Sequence, residues 1–135
     1  DYLNRIQKFC PMLLEEIPEE AWNPKQKLQA LKKEEKNLMK RIKKPSYLIL
    51  LDETGKEMAS QDWAKKLEGF FNSGLSEISW IIGSSYGVAD SLKGSVQETW
   101  SLSRLTLPHE MARVFFLEQL YRAMTIKQGL PYHHE

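Results

Sequence analysis

The chain ends on Tyr132, His133, His134 and Glu135, behind Gly129 and Pro131. A phenol, two imidazoles and a carboxylate are groups for moving protons, whereas chain ends are ordinarily polar, mobile and poor in aromatics. An imidazole has an intrinsic pKa of about 6.5, so it exchanges a proton near neutral pH. The same side chains admit a metal reading. Adjacent histidines on a terminus make a poorly preorganised site, however, and nothing upstream completes a ligand set, so no metal is expected. Three loops offer further binding groups: Leu51-Asp52-Glu53-Thr54-Gly55, Gly83-Ser84-Ser85-Tyr86-Gly87, and the run from Ser103 to His109. Gly83 and Gly87 permit close backbone approach to a ligand. Their spacing matches neither a P-loop nor a dinucleotide fingerprint.

These loops gain meaning from the elements before them. Tyr47–Leu51 and Ile78–Ile82 are short apolar runs flanked by breakers, the pattern of buried parallel strands. Asp52 is expected to end the first, with Gly55 turning the chain. Met12–Ile17 and Leu102–Leu107 read as further strands. Helices are expected over Tyr2–Phe9, from an Asn23 cap and Pro24 to Pro45, from a Ser60 cap to Gly74, over Ala89–Val96, and from His109 to Lys127. Leu28, Leu31, Leu38 and Ile42 form the apolar stripe of the second helix. Trp63, Phe70, Phe71 and Trp80 read as core, Cys10 as an inert small hydrophobe and His109 as a capping or packing histidine. Strands alternating with helices predict an α/β domain with a largely parallel sheet, whose ligands bind beyond the carboxyl ends of its strands. The final helix is apolar nearly all round at Val114-Phe115-Phe116-Leu117, which predicts burial against a second subunit.

Composition bounds the rest. A chain of 135 residues with 41% hydrophobic and 27% charged residues fits one soluble domain able to bury a core. No apolar run is long enough for a bilayer span, and one cysteine excludes an internal disulfide, so a cytoplasmic setting is expected. Between Lys25 and Lys44, nine Lys/Arg stand against two Glu, a local balance of +7 in a chain of net +1. A segment this basic is either a solvated helix face or a surface for an anion such as RNA. The first residue is Asp1 and the opening residues read as a helix already in progress, so a preceding segment is expected.

Four segments carry a resemblance: LDETGK (Leu51 to Lys56), IIGSSYG (Ile81 to Gly87), TWSLSRLTLPHEMARVFFLEQLYRA (Thr99 to Ala123) and PYHHE (Pro131 to Glu135). Through them the chain resembles the ribosomal RNA large-subunit methyltransferase H family, a minimal branch of the SPOUT methyltransferases, over essentially its full length. The resemblance implies one α/β SPOUT domain over residues 1–135, with a C-terminal trefoil knot and without the family's first N-terminal strand. It implies a homodimer that binds S-adenosylmethionine in the knot and methylates N3 of a pseudouridine in 23S rRNA on the assembled ribosome. By position, Leu51, Gly83, Ser84, Ser103, Arg104, Leu105, Thr106, Leu107 and Pro108 correspond to the cofactor loops. Tyr132, His133 and Glu135, with Arg122, correspond to the RNA and methyl-transfer site. Two positions depart from the family: Ser84 stands where a second glycine is usual, and His134 where arginine is common. The alternative is a ribosome- or RNA-binding relative that has lost cofactor binding and catalysis.

Overall fold

A computed structural model describes residues 1–16, 24–42, 46–83 and 87–134. Its centre is a three-stranded parallel sheet of order β2-β1-β3, built from β1 (Tyr47–Glu57), β2 (Ile78–Ile82) and β3 (Glu98–Ser101). The continuous apolar run of β1 is explained by helices on both faces. Ile49 and Leu51 point into a core with Trp63, Leu67, Trp100, Phe116 and Leu120. Leu50 points the other way, to Ile81, Leu92 and, from the second helix, Leu38 and Met39. Thus α1 (Tyr2–Ile6), α3 (Ser60–Asn72) and α5 (His109–Gln128) cover one face, while α2 (Lys27–Arg41) and α4 (Asp90–Lys93) cover the other.

The predicted α/β alternation with a parallel sheet is present, and several boundaries differ for identifiable reasons. β1 does not stop at Asp52. Leu51 and Lys56 both pair with Trp100, so residues 52–55 bulge out between two rungs of one ladder. Gly55 serves close packing rather than a turn: a Cβ there would lie 2.7 Å from the backbone of Thr99 and Trp100. The strand expected over Leu102–Leu107 is instead β3 followed by an irregular loop. Side chains compete for the backbone there: Ser101 Oγ donates to the Ser103 carbonyl at 3.0 Å, and Ser103 Oγ accepts from the Leu105 N–H at 3.0 Å.

Residues 11–16 form no strand, with Leu13 75% exposed; Ile17 lies outside the described residues. The second helix opens with a 3-10 turn (Pro24–Gln26), and Leu28 points to solvent, not to the core. Its expected Asn23 cap and Pro45 stop lie outside the described residues. Ser60 is the first residue of α3 rather than its cap; Ala59 takes the cap position, and its N–H donates to the Asp62 carboxylate. Ser60 donates to Gln119 at 2.7 Å instead, tying α3 to α5. Phe71 is 47% exposed, beneath the Lys127 ammonium, and so leaves the core.

Candidate active site

Two groups of side chains carry the predicted chemistry. The first lies at the carboxyl edge of the sheet. Leu51 pairs with Ile82 on one side and Trp100 on the other, so the chain leaves β2 and β3 at nearly the same level. Gly83 follows directly. A Cβ at Gly83 would meet Val88 at 2.8 Å and the Gly87 carbonyl at 2.9 Å, which requires glycine at this pinch; Ser84 lies outside the described residues. His109 Nδ1 lies 3.0 Å from the Gly83 carbonyl. A carbonyl only accepts, so Nδ1 carries the proton and links the start of α5 to the end of β2. His109 is therefore a positioning group, as its place after Pro108 suggests.

Residues 103–108 lean on the β1 bulge, with Thr106 donating to Glu53 at 3.3 Å and Arg104 pairing with Glu57 at 3.0 Å. Leu105 is exposed and Leu107 half-buried, while the Pro108 carbonyl accepts the first helical bond of α5 from Ala112. Leu51, Gly83, Ser103, Arg104, Leu105, Thr106, Leu107 and Pro108 thus share one edge of the molecule. The side chain of Leu51 itself is core. A cleft of about 580 Å³ lies beside this edge, between α2 and β2; among the described cofactor positions it reaches only Gly83.

The second group sits on α5 and the tail. Gly129 ends the helix in the left-handed conformation, φ 71°. Bonds from Gly129 N to Ile126 O and from Leu130 N to Thr125 O form a Schellman turn that sends the tail back along α5. Tyr132 then packs edge-on against Tyr121 and beneath the Arg122 guanidinium. Its hydroxyl donates to Glu118 Oε2 at 2.9 Å. Arg122 also binds Glu118, from Nη2 at 2.7 Å and Nε at 3.4 Å, and its Nη1 lies 3.0 Å from His133 Nδ1. Gln61 of α3 meets the other ring nitrogen, Nε2, at 3.2 Å.

The charges follow from these contacts. Burial pushes the Glu118 carboxyl up, but hydrogen bonds from Arg122 and Tyr132 outweigh it and hold the group below the ordinary carboxylate range. Glu118 in turn raises Arg122. Tyr132 is driven well above an ordinary phenol, first by a hydrogen bond with Tyr2, then by burial and Glu118. At neutral pH the cluster is a carboxylate, a guanidinium and a neutral phenol. Arg122 only donates, so His133 Nδ1 accepts and the ring proton resides on Nε2.

Tyr132, His133 and Arg122 are therefore together as predicted, His134 is exposed, and Glu135 lies outside the described residues. Glu118 and Gln61 join them without having been predicted. Glu118 stands four residues before Arg122, a helical ion-pair spacing that flags it; nothing in the spacing marks Gln61. His109 and Arg122 are 13 residues apart on α5, about 20 Å at 1.5 Å per residue.

Residues 1–133 match the family model described as "Predicted SPOUT methyltransferase". The chain belongs to the SPOUT methyltransferase family. Among curated proteins it is similar to "Ribosomal RNA large subunit methyltransferase H" of Geotalea uraniireducens, 37% identical over 134 residues, covering 99% of this chain and 86% of the relative. The protein of that name from Polynucleobacter asymbioticus is 41% identical over 135 residues, covering 100% and 86%. That from Maridesulfovibrio salexigens is 42% identical over 132 residues, covering 98% and 82%. The similarity thus spans both groups of site residues.

Proposed function

We propose that this SPOUT protein is an S-adenosylmethionine-dependent methyltransferase acting on N3 of a pseudouridine in 23S rRNA, on the assembled ribosome in the cytoplasm. The observation that carries the reading is the Glu118–Arg122–Tyr132–His133 cluster, held in a protein whose relatives are named as ribosomal RNA methyltransferases. The edge of the sheet suits the cofactor. The Gly83 pinch admits no side chain, and the irregular backbone after β3 has polar groups for a ligand or water to meet. Glu53 beside it favours a cationic sulfonium. Leu51, Gly83, Ser84 and residues 103–108 would hold the cofactor, in the C-terminal knot of this fold. Once bound it supplies an activated methyl group.

The chain's own residues then have to orient the ring and accept the imide proton. While Arg122 donates to His133 Nδ1, that nitrogen cannot take a proton. His133 becomes the base when Arg122 turns to a phosphate or oxyanion of the substrate. Tyr132 stacks on the base or holds its carbonyl, with Glu118 fixing its hydroxyl. A homodimer, with the tail cluster of one subunit facing the sheet edge of the other, completes the site. Met111, Val114 and Phe115, all exposed on α5 beside Tyr2 and Glu118, form the interface.

Transfer of labelled methyl from S-adenosylmethionine to intact ribosomes lacking the modification, with free rRNA as control, tests the reading. Incorporation into ribosomes alone is expected, and loss of it in the His133→Ala and Tyr132→Phe variants. Full turnover in both variants would remove the assignment of the base. Absence of calorimetric heat at millimolar cofactor would favour a relative that binds RNA without catalysing.

A further inference from the structure

The strongest charge pattern in the chain belongs to neither group of site residues. On α2, Lys32, Lys33, Lys36 and Lys40 are exposed, and at 3.6 residues per turn they fall within roughly 100° of the helix circumference. Leu31 and Leu38 lie on the opposite side, against the sheet and the cleft. The two acidic residues of the helix are sorted the other way. Glu34 and Glu35 are half-buried and line the cleft, where Ser91 donates to Glu35. Neither glutamate therefore lies on the lysine face. Like charges at i,i+4, as in Lys32–Lys36–Lys40, repel one another and weaken a helix. An external polyanion relieves that repulsion.

We propose that this face of α2 is the landing surface for duplex phosphate backbone of ribosomal RNA beside the modified nucleotide, an inference that rests on the function proposed above. Two observations select duplex backbone over unpaired bases. α2 carries no aromatic side chain on which a base could stack. Lysines are also mobile point charges, suited to contacts that position without reading sequence. Placement supports the role, because the inner side of the same helix lines the cleft that reaches Gly83 and His109. A backbone held on the outer side is thus docked next to the methyl-donor edge.

The test is the triple variant Lys32→Gln, Lys36→Gln, Lys40→Gln, with Lys8→Gln, Lys65→Gln, Lys93→Gln as a control of equal charge change at exposed positions. Binding to intact ribosomes is followed by sedimentation between about 50 and 200 mM salt, alongside methylation kinetics. The α2 variant is expected to raise KM for ribosomes at least ~10-fold. Its salt slope should shrink by about 2 to 3, at roughly 0.9 for each phosphate that is no longer neutralised. kcat and calorimetric cofactor affinity should stay as in the unsubstituted protein. Equal KM and slope in the two triple variants would overturn the proposal, as would a fall in kcat or cofactor affinity without a change in ribosome binding. A photo-cross-linker at the exposed Gln29 is expected to label rRNA; labelling of a ribosomal protein alone would also overturn it. If the unsubstituted protein methylates nothing, the function fails, and the sedimentation arm still decides the landing surface.

Discussion

Glu98 shows how one side chain links stability to pH in both the acid and the alkaline direction. It accepts hydrogen bonds from Tyr47 at 2.5 Å, Trp100 at 2.9 Å and Lys66 at 2.9 Å. Burial raises this carboxyl, but the three donors together bring it below its ordinary value. Its contribution to stability is therefore present above the ordinary carboxylate pKa and lost as pH falls through the depressed one. Tyr47 behaves in the opposite sense. Its phenol is pushed up to about 12, chiefly by the bond to Glu98, so its contribution is complete below about pH 10 and disappears as pH climbs towards that raised value. Tyr47→Phe should cost about 1.5–3 kcal/mol at neutral pH and flatten the alkaline limb of a urea-midpoint profile; an unchanged alkaline limb would refute the linkage. At the tail, Glu118→Gln should lower ribosome methylation roughly 10- to 100-fold through misplacement of Arg122 and Tyr132. The melting temperature measured beside it should move little by comparison. The terminal proton-handling groups are legible in the sequence because their residue types are rare on a tail. Gln61 is not, since its relation to His133 exists only once α3 and the reversed tail pack together.

At the level of elements, the contrast between two glycines separates packing from conformation. Gly55→Ala would press a methyl against the Thr99 and Trp100 backbone and should destabilise by about 1–3 kcal/mol, because the bulge cannot move without breaking the β1–β3 register. Gly69→Ala meets nothing within 4 Å in the interior of α3 and should stabilise by about 0.5–1 kcal/mol. Chemical denaturation of the two variants checks both signs. The helices and the two apolar strands are readable because their periods and breakers are local signals. The bulge at residues 52–55 is not, because polar residues and a glycine read as a turn whichever neighbour they pack on. The loop after β3 reads as strand for a related reason: serines that look like strand residues spend their hydroxyls on the backbone.

For the whole molecule, the exposed apolar side chains of α5 are the proposed assembly surface. Val114→Glu should turn a dimer into a monomer by light scattering at micromolar concentration and abolish methylation, while leaving the secondary structure intact by circular dichroism. A monomeric unsubstituted protein at that concentration would exclude the proposed interface. The apolar girth of the final helix is visible in the sequence; which part of it meets the core is settled only by the fold, with Phe116 and Leu117 inside and Val114 outside. The aromatic core has a further consequence. Trp63 lies parallel to Trp80 at 6.1 Å and edge-on to Trp100 at 4.8 Å, with Trp80 and Trp100 5.2 Å apart. Three indoles this close share their excited states, so their near-ultraviolet dichroism and emission depend on mutual orientation. Trp100 stands near the carboxyl end of β3 and Trp80 at the middle of β2, behind the loops proposed to hold the methyl donor. The protein thus carries an intrinsic optical gauge of that edge, able to register a shift in the strands without any attached dye.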